Sequence, residues 1–138
     1  MTILAYTDGA SRGNPGESGV GIILKDERGN ILTSHFGYIG KATNNIAEYI
    51  ALATCLKIVQ SMKCSLLVVH SDSELMVRQI NGQYKVKDEG LKKHFQNIQN
   101  MVAMLPFQFV IKHVPREKNQ EADQLANRGI DTKEILRS

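Results

Sequence analysis

Four carboxylates stand out by type and placement: Asp8, Glu48, Asp72 and Asp123. Each has a plain structural explanation when taken alone. Asp8 precedes Gly9, a common turn pair. Glu48 closes Asn45-Ile46-Ala47-Glu48, which fits a capping box. Asp72, in Ser71-Asp72-Ser73, suits the start of a helix. Asp123 falls in the first turn of the last expected helix, where the helix dipole favours an acid. Their joint placement argues for more. Clustered carboxylates repel one another unless cations neutralise them. A set of oxygen ligands suits a hard cation such as Mg²⁺ or Mn²⁺ and does not suit zinc. Two such ions about 4 Å apart activate a water and stabilise the leaving oxygen in a phosphodiester displacement.

The elements that must position these acids follow from periodicity. Residues 2–8 read as a strand leading into Asp8, and 9–16 (Gly-Ala-Ser-Arg-Gly-Asn-Pro-Gly) as a turn-rich loop. Residues 18–26 and 31–39 read as strands, with Gly29-Asn30 supplying hairpin chemistry between them. Residues 45–62 contain no Gly or Pro and carry the stripe Glu48, Leu52, Cys55, Val59, Met62, so a helix is predicted with Glu48 on its sheet-facing side. Leu66-Leu67-Val68-Val69-His70 is the apolar run of a strand buried on both faces. Helices are predicted near 74–81, 91–104 and 120–129, and a strand over 107–113. The order β-β-β-α-β-α-α-β-α implies an α/β protein with a mixed sheet. The strands leading to Asp8, Asp72 and His113 would be parallel neighbours. Ligands of such sheets lie beyond the strands' carboxyl ends.

At 138 residues, the chain has the length of one domain and can bury a core without staples. Cys55 and Cys64 have neither metal-site spacing nor a nearby His, and read as packing thiols of a reducing compartment. The N-terminus lacks the charged and apolar regions of a signal peptide, and no run is long enough to cross a bilayer, so a cytoplasmic location is expected. A formal charge of +3 agrees with a polyanionic partner without demanding one.

Four ordered segments resemble the motifs of type 1 ribonuclease H: Thr7-Asp8-Gly9-Ala10-Ser11-Arg12-Gly13-Asn14-Pro15-Gly16, Thr43-Asn44-Asn45-Ile46-Ala47-Glu48, Ser71-Asp72-Ser73, and His113 through Asp123. The resemblance implies a ribonuclease H-like fold, with a five-stranded mixed sheet of order 3-2-1-4-5 flanked by helices, over one domain, 1–138. It implies an endonuclease that hydrolyses the RNA strand of RNA–DNA hybrids with two Mg²⁺ ions, Mn²⁺ able to substitute, leaving 5′-phosphate and 3′-hydroxyl ends. Asp8, Glu48, Asp72 and Asp123 match the metal-binding carboxylates. His113 matches a mobile histidine that assists proton movement or product release. Ser11, Gly13, Asn14, Asn44 and Asn45 match positions that read RNA 2′-hydroxyls, and Thr43 a position that grips a DNA-strand phosphate.

The chain departs from the best-known bacterial members in one region. The segment between Asn81 and Leu91 is short, and the sequence has no Trp, so the basic, tryptophan-rich protrusion is missing. Lys85, Lys87, Lys92 and Lys93 are the cations left there. The expected form is a compact, monomeric member without a preceding hybrid-binding domain. Double-stranded RNA stands as a further candidate substrate. The rival readings are a catalytically weak or inactive hybrid-binding module, a polynucleotidyl transferase of the integrase type, and a structural α/β protein with fortuitous acids.

Overall fold

The structure, a computed structural model, describes residues 1–136. Three antiparallel strands come first: β1 (Thr2–Gly13), β2 (Gly16–Lys25) and β3 (Ile31–Ala42). Helix α1 (Asn44–Gln60) crosses to β4 (Leu66–Ser71). Helices α2 (Glu74–Ile80) and α3 (Glu89–Ala103) precede β5 (Gln108–His113). A short 3-10 turn, Arg116–Lys118, leads into α4 (Gln120–Thr132). The sheet order is β3-β2-β1-β4-β5, with β4 parallel to β1 and β5 parallel to β4. Fold class and strand order therefore agree with the sequence reading. No described helix is long and apolar enough to cross a membrane.

The core lies between the sheet and α1. Leu52, Cys55, Leu56 and Val59 of α1 are fully buried, as are Ile3, Ala5, Leu67 and Val69 of the sheet. Burying each such leucine or valine contributes about 1.5–3 kcal/mol. The stripe predicted on α1 is therefore its buried side, although Met62 lies beyond the helix end. Helix α4 packs on β2 through backbone contact. A Cβ on Gly19 or Gly21 would overlap the carbonyls of Ala126 or Ala122, and one on Gly129 would overlap Gly37.

Two local expectations are corrected. The segment 9–16 is not a loop. β1 runs on through Gly13, paired with β2 from Leu4↔Lys25 to Gly13↔Gly16. Its glycines and small residues mimic turn signals, but they serve close packing and the hairpin end, where Gly13 has φ +139. Asp8 therefore does not end a strand. It lies just beyond the parallel pairing with β4, which stops at Tyr6↔His70. The second correction concerns the start of α1. Its N-cap is Thr43, whose Oγ1 accepts from the Ile46 N–H at 3.2 Å. The capping box expected at Asn45-Ile46-Ala47-Glu48 does not form, and the Glu48 side chain is used elsewhere.

Candidate active site

Asp8 projects from β1, Glu48 from the second turn of α1, and Asp72 from the residue after β4. These positions are 40 and 24 residues apart in the chain (48 − 8 and 72 − 48), yet carboxylate oxygens of all three lie within 4.8 Å of one another. Asp8 and Glu48 are buried, at 4% and 3% exposure, and Asp72 is half-buried. Asp123, in the first turn of α4, stands outside that mutual distance, but its carboxyl lies beside Asp8.

The electrostatics follow from this crowding. Burial, then the charges of Glu48, Asp72 and Asp123, push the Asp8 carboxyl far above the usual carboxylate range. Burial also pushes Glu48 up, opposed by the N–H of Gly9, which donates to Glu48 Oε1 at 2.9 Å. Crowding of this kind is relieved when positive charge sits among the carboxylates. The tight group is all carboxylate oxygen, with neither Cys nor His. That donor chemistry fits a hard divalent cation.

The hairpin and α4 brace Asp123. Arg12, near the tip of β1, pairs with Asp131 at 2.6 Å and donates to Asn127 Oδ1 at 3.3 Å. Asn127 Nδ2 donates to the carbonyl of Asp123 at 3.0 Å. Asn119 is buried at the start of α4 and donates to the Thr7 carbonyl at 2.9 Å and to Asp72 Oδ2 at 3.4 Å. Neither Asn127 nor Asn119 was singled out from sequence. The one available signal was spacing, four residues to either side of Asp123, and amides at helix positions are common.

The other predicted residues fall into two places. Ser11, Gly13 and Asn14 sit at the β1–β2 hairpin, beside Thr43 and Asn44 at the start of α1. Ser11 Oγ donates to the Ala42 carbonyl at 2.8 Å, and Asn14 Oδ1 accepts from the Asn44 N–H at 3.2 Å. Gly13, Asn14, Asn44 and Asn45 are exposed there. His113 ends β5, exposed and paired in register with Ser71, the neighbour of Asp72. It is not part of the tight carboxylate group. The connection between α2 and α3 is short, with Lys85 and Lys87 exposed.

A fold of this topology, with acids gathered beside its central strands, defines a class that comparison with known proteins makes specific. Residues 6–129 match the family model described as "Reverse transcriptase-like". Ribonuclease HI of Halobacterium salinarum is 37% identical over 127 residues, covering 92% of this chain and 63% of its own length. A bifunctional protein of Mycobacterium tuberculosis is 35% identical, covering 95% of this chain and 36% of its own. This chain thus spans less than two thirds of either relative. Among solved structures, LC11-RNase H1 in complex with RNA/DNA hybrid superposes with a TM-score of 0.89 at 43% identity, covering 94% of this chain and 97% of that one. The chain belongs to the type 1 ribonuclease H family.

Proposed function

We propose that this chain is a metal-dependent endonuclease that hydrolyses the RNA strand of RNA–DNA hybrids, leaving 5′-phosphate and 3′-hydroxyl ends. The observation that carries the reading is the convergence of Asp8, Glu48 and Asp72 within 4.8 Å, with Asp123 alongside. The relative solved with an RNA/DNA hybrid supports the substrate class.

Asp8, Glu48, Asp72 and Asp123 would hold the cations, Mg²⁺ with Mn²⁺ able to substitute. Bound there, two divalent cations would supply the charge that activates water and stabilises the departing 3′ oxygen. Glu48 is kept on the site side of α1 by the Gly9 N–H. Ser11, Gly13, Asn14, Asn44 and Asn45 meet the RNA strand, whose 2′-hydroxyls distinguish it from DNA. Exposed Asn amides offer both donor and acceptor for that purpose. Thr43 takes a DNA-strand phosphate at the N-terminus of α1, where helix N–H groups favour an anion. His113, at the exposed end of β5, moves a proton or speeds product release.

The test is incubation of the protein with labelled RNA–DNA hybrid, RNA duplex and DNA duplex, each in Mg²⁺, in Mn²⁺ and with EDTA. Cleavage of the hybrid's RNA strand, abolished by EDTA, is expected. The RNA-duplex arm decides whether the compact form without a basic protrusion accepts a second substrate. Asp72→Asn should abolish cleavage and keep hybrid binding. Full activity in that variant would remove Asp72 from the metal site and overturn the reading.

A further inference from the structure

Asn119 is the N-cap of α4 and is 1% exposed. An asparagine there ordinarily turns its side-chain oxygen onto the helix's own N–H groups, a bond contributing about 1 kcal/mol. Asn119 makes no such bond. Its Nδ2 donates outward, to the Thr7 carbonyl at 2.9 Å and to Asp72 Oδ2 at 3.4 Å. Its Oδ1 is buried with no partner among the described residues. An unpaired buried oxygen costs about 1–3 kcal/mol. The residue thus forgoes a cap and leaves an acceptor unpaired, which is a poor arrangement for stability alone.

The amide's orientation is determined by its neighbours. Rotating it by half a turn would set Oδ1 against two acceptors, a carbonyl and a carboxylate. Both Nδ2 contacts lead into the acidic cluster. The Thr7 carbonyl belongs to the peptide that enters Asp8. Asp72 Oδ2 belongs to the cluster itself. The main chain of Asn119 adds a third link, since its carbonyl accepts from the Asp123 N–H at 3.1 Å. One residue therefore touches the supports of three acids carried on three different elements.

We propose that Asn119 is a positioning residue, whose amide locks the Asp72 carboxylate against β1 and so preorganises the acidic cluster for cation binding. The inference rests on the cation-binding reading above. Groups that orient ligands from behind in this way typically govern metal affinity by roughly 10–100-fold.

The discriminating variant is Asn119→Ser. Serine is as good an N-cap as asparagine, so a purely structural role at the helix start survives the exchange. It lacks the amide donor and the reach to Asp72. Asn119→Ala, which removes the amide and offers no side-chain oxygen for the helix start, is the companion. Each full-length variant is titrated with Mn²⁺ by calorimetry, unfolded thermally, and assayed for kcat and KM on hybrid. Asn119→Ser is expected to unfold near the native temperature, to bind Mn²⁺ roughly 10–100-fold more weakly, and to lose kcat with KM for hybrid unchanged. Native Mn²⁺ affinity and kcat in Asn119→Ser would overturn the proposal. Failure of both variants to fold would also overturn it, because it would assign Asn119 to the fold. If the native protein binds no Mn²⁺, the cation reading itself fails. If the native protein binds and Asn119→Ser binds equally, only the role of Asn119 fails.

Discussion

The backbone N–H of Gly9 donates to Glu48 Oε1 at 2.9 Å, joining β1 to α1 across 39 positions of the chain. Gly9 also lies directly against α1, because a Cβ there would overlap the Ala47 and Glu48 backbone. Gly9→Ala forces the helix off the strand and moves Glu48. Overpacking of this kind costs about 1–3 kcal/mol, or a melting temperature lower by roughly 3–10 °C in a domain this size. Thermal unfolding should show that drop. Single-turnover cleavage should fall by at least about tenfold, one 1.4 kcal/mol step in barrier.

The raised pKa values of Asp8 and Glu48 predict a pH dependence of the cation-free protein. Folded, these groups keep their protons above the usual carboxylate range. The unfolded chain releases them within that range. The folded state therefore binds more protons in the window between, and stability declines as pH rises through it. This contribution is fully present below the unfolded values and lost as pH passes the folded ones. Unfolding in EDTA at stepped pH should show a melting temperature that falls from acid towards mildly alkaline pH. Mg²⁺ at 100 times its dissociation constant should restore about 2.7 kcal/mol. An EDTA profile that rises through the same window would contradict the crowding of Asp8 and Glu48.

His113 is exposed at the end of β5 and outside the tight group. His113→Ala should therefore leave the melting temperature and Mn²⁺ affinity as they are. Proton transfer by a positioned side chain is worth about 10²–10⁴-fold, and kcat should fall towards the lower end of that range. Calorimetry alongside steady-state kinetics separates the two readouts.

Thr43 serves α1 as N-cap and, in the function proposed above, also takes a DNA-strand phosphate. Thr43→Ala should lower stability by about 1 kcal/mol and raise KM for hybrid. Thr43→Ser keeps the hydroxyl and should recover most of both. Chemical denaturation reports the first effect and the hybrid KM the second.

The acids were legible because each sits on a strong local pattern. Glu48 heads an unbroken apolar stripe, and Asp72 follows an apolar strand. The full strand order came from the family resemblance, while the alternation of elements gave a mixed sheet with the strands to Asp8, Asp72 and His113 as parallel neighbours. Segment 9–16 was misread because glycine signals both a turn and a close approach, and only the position of Ala47 against Gly9 tells them apart. The capping box at Asn45–Glu48 does not form because Thr43, an equally good cap two residues earlier, takes that role. Asn119 escaped notice because its partners, Thr7 and Asp72, lie 112 and 47 positions away. A cap residue that does not cap has no signature in one dimension.

The glycines beneath α4 have a consequence for variation in this protein. Main chain rests on main chain at Gly19, Gly21 and Gly129. The nearest neighbour of each is backbone, which cannot be trimmed to bring the helix nearer. Any replacement at these three places can only lift the helix, and Asp123 rides with it. The fourth acid thus rests on a mechanical stop that works in one direction, so substitution at these three glycines can open the cluster and cannot tighten it.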